Sequence, residues 1–317
     1  MLFNALGGIS ASHIAERLGI PAIGASLQPC TPTPEFASPV LPLFGKTNLG
    51  GPINRLSYEL ASKISWDIFR GAVNSARSRV LGLGHLPRSH RIWDGKSPRM
   101  PIVYGFSPTV VPRPRGWGEW IHIAGYWPHD DGTALPDDIE SFLTQSGETI
   151  YIGFGSMALS EPRRFFEGVA NALDMAGLSA VVSRGWGWKG DFVGFANIRF
   201  CDYVSHDRLF PRVSAAVHHA GAGTTAAGIR NGIPQLAMPL AADQFFWADR
   251  INRFGIGPKP LFWKDFSDFP KTLSRLLSEE SFKTSAKRLQ AITSAEDGIR
   301  NAVLAFEEEA LRCRSLR

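Results

Sequence analysis

Short apolar runs alternate with amphipathic stretches through the second half of the chain. Segments of strand length fall at Thr149–Phe154, Ser179–Ser183, Ile198–Phe200, Ala215–His218 and Gln235–Met238, bounded by glycine, proline or polar residues. Helical periodicity falls between them, at Glu161–Ala176, Thr224–Asn231 and Asp243–Phe254. That rhythm predicts a parallel sheet covered on both faces. Two more helices are predicted at Ser281–Thr293 and Glu296–Cys313. The first 127 residues are less regular, with proline- and aromatic-rich loops. Met1–Asn4, Ala22–Ser26 and Ile102–Tyr104 are strand-like there, and Ser10–Leu18 and Ile53–Leu81 helix-like. A turn-rich stretch from Trp127 to Pro136 separates the halves, which gives a domain at 1–127, a linker at 128–148 and a domain at 149–317.

The most specific chemistry sits where the strand Ala215–His218 runs into His219-Ala-Gly-Ala-Gly-Thr-Thr225. Gly221 and Gly223 remove side chains where a diphosphate would approach the backbone. The helix that follows, from Thr224 and Thr225 onward, points unpaired N–H groups and its positive end at the same place, with threonine hydroxyls as further donors. Strand alternation turns His219 toward a ligand and His218 to the other face, where packing or a supporting hydrogen bond is expected. Asp243 and Gln244 return one βα unit later, suited either to a sugar's hydroxyls or to capping the next helix. The spacing is neither GxGxxG nor GxxxxGK[ST], which argues against a dinucleotide oxidoreductase and a P-loop NTPase. Gly185-Trp-Gly-Trp-Lys-Gly190 matches the former by letter only and opens no evident helix.

The run His219-Ala-Gly-Ala-Gly-Thr224 with Asp243-Gln244 resembles the donor-site signature of GT-B glycosyltransferases. Tyr151–Met157, Ser183–Trp186, Val204–His219, Asp243–Ala248 and Glu296–Ile299 resemble successive blocks of the UDP-glucose:sterol glucosyltransferases and their bacterial relatives, as do His13–Pro21 and Leu27–Pro34. The resemblance implies an α/β GT-B fold of two Rossmann-like domains, the second a doubly wound parallel sheet whose closing helix crosses back onto the first. In that family His219, Gly221, Ala222, Gly223, Thr224 and Thr225 would hold the diphosphate and Asp243 and Gln244 the sugar. Ser156 would meet a phosphate or cap a helix, Trp186 would border the base or belong to the core, and backbone groups at Val204 would read the uracil edge. Ala227 stands where related plant enzymes carry a ribose-binding glutamate.

The activity implied is inverting, metal-independent transfer of a hexosyl group, glucose foremost, from a UDP-sugar to a hydrophobic alcohol such as a sterol. No cofactor is implied beyond the sugar nucleotide. The 317 residues are short for two such domains of roughly 150–200 residues each. The first βα units, which carry the family's catalytic base, are therefore expected before Met1, and no residue here is assigned that role. A non-catalytic nucleotide-sugar-binding remnant, or a fragment that works with an upstream half, is the alternative.

Composition narrows the rest. With 44% hydrophobic and 20% charged residues the chain has a sizeable core. A net charge of +5 is scattered, which fits a solvated face and leaves contact with an anionic membrane surface open, whereas no basic run interleaved with aromatics points to nucleic acid. Cys30, Cys201 and Cys313 lie too far apart for a zinc site or a disulfide framework. A cytoplasmic, reducing setting is expected, and oligomeric state is not legible.

Overall fold

In the computed structural model the structure describes residues 1–4, 7–41, 47–91, 100–129, 132–155, 162–185 and 195–315. They form two units, 1–127 with 296–317, and 128–295. The first unit opens with β1 (Leu2–Phe3), α1 (Gly8–Leu18), β2 (Ile23–Ser26) and the long α2 (Gly51–Ala76), which runs on through a π-type turn at Arg77–Leu81. β3 (Ile102–Tyr104) and β4 (Ile121–Ile123) follow. The four strands are parallel, in the order β1-β2-β3-β4. Gly50 before α2 has φ of +91°, and Pro52 lies at the start of that helix, where a missing N–H is harmless.

The second unit begins with α3 (Asp137–Gln145), inside the stretch 128–148 that the sequence presents as a linker. Pro136 precedes it, Asp137, Asp138 and Glu140 face its positive end, and Ile139 and Phe142 are buried. Then come β5 (Thr149–Gly153), α4 (Pro162–Ala176), β6 (Ser179–Ser183), β7 (Ile198–Cys201), α5 (His206–Leu209), β8 (Ala216–His218), α6 (Ala222–Asn231), β9 (Gln235–Ala237) and α7 (Gln244–Arg253). α8 (Phe269–Ser278) and α9 (Glu280–Thr293) complete the unit.

Its five strands are all parallel, in the order β7-β6-β5-β8-β9. The chain builds outward from β5 to one side, then returns to β5 and builds to the other. The two sheet faces follow from period-two alternation. Ile150, Ile152, Ala180, Val182, Ala215 and Val217 pack on α4 and α8 through Phe166, Val169, Leu173, Phe269 and Leu273. Tyr151, Val181 and Ala216 pack on the opposite side with Ile139, Leu209, Phe210, Ala227 and Ile233. β5 and β8 are buried along their whole length, which is why they read as continuous apolar runs.

The last helix, α10 (Gly298–Ser315), belongs to the first unit, not to the domain drawn at 149–317. Its Ala302 and Ala305 pack on Ile23, Val103 and Ala124. Asn301 donates to the Ala124 carbonyl at 3.0 Å, and the fully buried Glu309 carboxylate lies 2.8 Å from His122 Nε2. A Cβ on Gly298 would come within 2.1 Å of the Tyr126 carbonyl oxygen, so only glycine allows this approach. Among the described residues no helix is long and apolar enough to cross a membrane.

Candidate functional site

The register of the second sheet places its last residues in one row. Cys201 pairs with Ser183, Ser183 with Gly153, Gly153 with His218, and His218 with Ala237. All five strands thus end on one line, and the loops after them leave the same edge. Because strand order reverses between β5 and β8, a crevice is expected there, at the carboxyl ends. Val204, His219, Gly221–Thr225, Asp243 and Gln244 all lie in or just after these loops. Ser156 and Trp186 belong to the loops after β5 and β6 but lie outside the described residues.

At the reversal point the loops after β5 and β8 meet through His219. A Cβ on Gly155 would lie 3.0 Å from its Cε1, and one on Gly221 would lie 2.5 Å from its Nε2. The two glycines therefore make room for the imidazole. His219 Nδ1 is buried without a hydrogen-bond partner. Burial holds this histidine below the ordinary pKa, opposed by the Gly153 carbonyl, so the ring is neutral around pH 7.

Helix α6 begins just beyond, with Gly221 at its N-cap and no side-chain cap. The amides of Gly221, Ala222, Gly223 and Thr224 precede the first intrahelical bond, the one from Thr225 N–H to the Gly221 carbonyl at 2.9 Å. An uncapped helix N-terminus beside a neutral imidazole is suited to an anion. Thr225 departs from expectation: its amide is taken by Gly221, and its hydroxyl is buried without a partner at 1% exposure. The open donors are those of Gly221 to Thr224.

His218 is fully buried, and burial pushes its pKa down to about 3. Its Nδ1 accepts from the Ala220 amide at 3.0 Å, and its Nε2 lies 2.8 Å from Gln235 Oε1. Ala220 has φ of +60°, a left-handed conformation that an alanine adopts only when held there.

Asp243 stands at the N-cap of α7 but caps nothing with its side chain. Its Oδ2 accepts from Trp247 Nε1 at 3.1 Å. Burial raises its pKa, with Trp247 opposing. Gln244 is buried, and its Oε1 accepts from the amides of Leu240 and Ala241 at 2.7 and 2.9 Å. It therefore braces the loop before α7, at Ala242 with φ of +50°, and has its Nε2 left to donate. Val204 is buried beside Leu209 and Phe210, so its side chain serves the core and only its backbone is suited to a ligand.

Behind the row lies a polar layer that sequence reading misses. Tyr151 OH is 3.0 Å from His206 Nε2, and burial pushes His206 down to about 4. Arg230 on α6 holds Asp207 on α5 at 2.7 Å. Gln235 lies on an apolar strand, and nothing in the sequence marks its partner.

Residues 195–303 match the family described as Erythromycin biosynthesis protein CIII-like, C-terminal domain. Among solved structures, the chain superposes on the kitacinnamycin glycosyltransferase with a TM-score of 0.68 at 16% identity, over 97% of this chain and 75% of that one. It superposes on CalG4, the calicheamicin glycosyltransferase, with a TM-score of 0.63 at 16% identity, over 100% and 76%. The fold is that of the GT-B glycosyltransferases. In sequence the chain is similar to sterol 3-beta-glucosyltransferases. It is 31% identical over 343 residues to that of Cryptococcus neoformans var. neoformans, covering 100% of this chain and 21% of the relative. It is 33% identical over 300 residues to UGT80A2 of Arabidopsis thaliana, covering 93% and 46%. The chain thus spans about a fifth of the fungal relative and about half of the plant one.

Proposed function

We propose that the chain serves glucosyl transfer from a UDP-sugar to the hydroxyl of a sterol, with inversion and without a metal ion. The observation that carries this reading is His219 beside the uncapped N-terminus of α6, at the point where strand order reverses. The similarity to sterol 3-beta-glucosyltransferases supports the sugar and the acceptor.

In the reaction the acceptor oxygen bonds to the anomeric carbon as the bond from that carbon to the diphosphate oxygen breaks. The electron pair leaves with the diphosphate, and the acceptor proton passes to a base. The amides of Gly221 to Thr224, the Thr224 hydroxyl and His219 meet the charge that grows on the departing diphosphate. These donors are fixed by the fold and need little reorganisation. The Asp243 carboxylate and Gln244 Nε2 hold the sugar and supply orientation.

The test is calorimetric titration with UDP and UDP-glucose alongside His219→Ala, followed by transfer of labelled glucose to a sterol. Saturable binding that His219→Ala weakens at least tenfold is expected. A folded protein that binds neither nucleotide overturns the reading.

A further inference from the structure

The second of the paired histidines is the expected ligand, yet the structure gives the first a task of its own. His218, Ala220, Gln235, Thr225 and Gly228 form one linkage joining β8, β9 and α6. The Ala220 amide can only donate, so His218 Nδ1 must accept and carries no proton. Nε2 then carries it and donates, and Gln235 must turn its carbonyl oxygen toward the ring. That leaves the Gln235 amide nitrogen to donate to the Thr225 carbonyl, 3.4 Å away in the first turns of α6. A main-chain group thus fixes every proton along the linkage.

Space along the linkage is equally constrained. A Cβ on Gly228 would stand 2.4 Å from Gln235 Cδ, so a glycine inside a helix is required, against its propensity. His218 and Gln235 are both fully buried, where an unpaired polar atom is costly. The linkage ends on both sides of the anion site: at Ala220, held at φ of +60° immediately after His219, and at Thr225, one residue past the open amides.

We infer that His218 is a positioning residue, whose Nδ1 holds the Ala220 amide so that His219 and the α6 amides converge on one diphosphate. This rests on the nucleotide reading above. His218 touches no ligand itself.

The two imidazole nitrogens can be replaced one at a time. His218→Asn keeps an acceptor where Nδ1 stands, while His218→Gln keeps a donor where Nε2 stands and removes that acceptor. UDP is titrated calorimetrically into the wild type and both variants, with urea midpoints measured in parallel. The expected result is UDP affinity within about threefold of wild type for His218→Asn and at least tenfold weaker for His218→Gln, at comparable midpoints. Equal affinity in all three, or losses that track the midpoints whichever nitrogen is lost, overturns the inference.

A second measurement needs no variant. Nitrogen-15 imidazole spectra of the wild type should show His218 as the neutral Nε2–H tautomer with and without UDP, and an Nδ1–H tautomer overturns the inference. A wild type that binds no UDP defeats the nucleotide reading instead, and the tautomer then decides the linkage separately.

Discussion

Gly185 and Gly155 touch: a Cβ on Gly185 would stand 1.7 Å from the Gly155 carbonyl oxygen. Gly185 also has φ of +64°, and Gly155 is itself the glycine that leaves room for His219. Gly155 and Gly185, which follow β5 and β6, thus lean on each other next to His219.

Gly185→Ala should therefore act on the site through Gly155. The left-handed conformation alone costs an alanine roughly 1–2 kcal/mol, and the carbonyl must move as well. We expect an unfolding free energy lowered by more than that and UDP binding weakened about tenfold. A stable Gly185→Ala with unchanged UDP affinity would separate the two loops functionally.

Asp243→Asn probes the buried carboxylate. Burial raises the Asp243 pKa above 3.8, so the native state favours the protonated form, and ionisation at neutral pH is unfavourable to folding. The Asn variant, which keeps an oxygen for Trp247, should be more stable than wild type at pH 7. That advantage should shrink as pH falls through the raised folded pKa and vanish below 3.8. Transfer should drop on the order of 100-fold through lost sugar orientation, while UDP binding stays within about threefold. Loss of UDP affinity to the same degree would take Asp243 away from the sugar.

Acid should reveal His218. Its pKa is pushed from 6.5 to about 3 on folding, so between these values the unfolded chain binds the extra proton and wild-type stability falls with pH. Acidification through this window should therefore cost wild type stability that His218→Asn keeps, by up to about 1.4 kcal/mol per pH unit. A difference independent of pH would mean that folding leaves the His218 pKa where it is in the unfolded chain.

His122→Ala tests how α10 is held. It leaves the buried Glu309 carboxylate with Arg312, 3.5 Å away, and with an Oε2 that already lacks a partner. A loss of about 2 kcal/mol in urea unfolding is expected, below the roughly 3–5 kcal/mol of a fully orphaned buried charge. Unchanged unfolding would assign the docking of α10 to Ala302 and Ala305 alone.

The parity of Ala216, Val217, His218 and His219 is legible in the sequence because a strand alternates faces, and it separates the two histidines before any coordinates. The glycines around them are legible for the same local reason. The tasks of Thr225, Gln244 and Gln235 are not, because each depends on a neighbour brought close only by packing. Local signals also misled. Pro136 closes the turn-rich stretch of the expected linker, yet it stands at the N-cap of α3. β4 escaped notice because three residues, Ile121 to Ile123, carry too little pattern.

The return of α10 to the first unit makes that unit discontinuous in the chain. During synthesis, residues 128–295 emerge complete and can close their own sheet, while Ile23, Val103 and Ala124 wait for Ala302 and Ala305. The apolar face of the first sheet therefore stays open until the last helix leaves the ribosome. A nascent chain stalled between α9 and α10 would carry a finished second unit and a sticky, unfinished first one, which sets the stage of translation at which chaperone protection matters most.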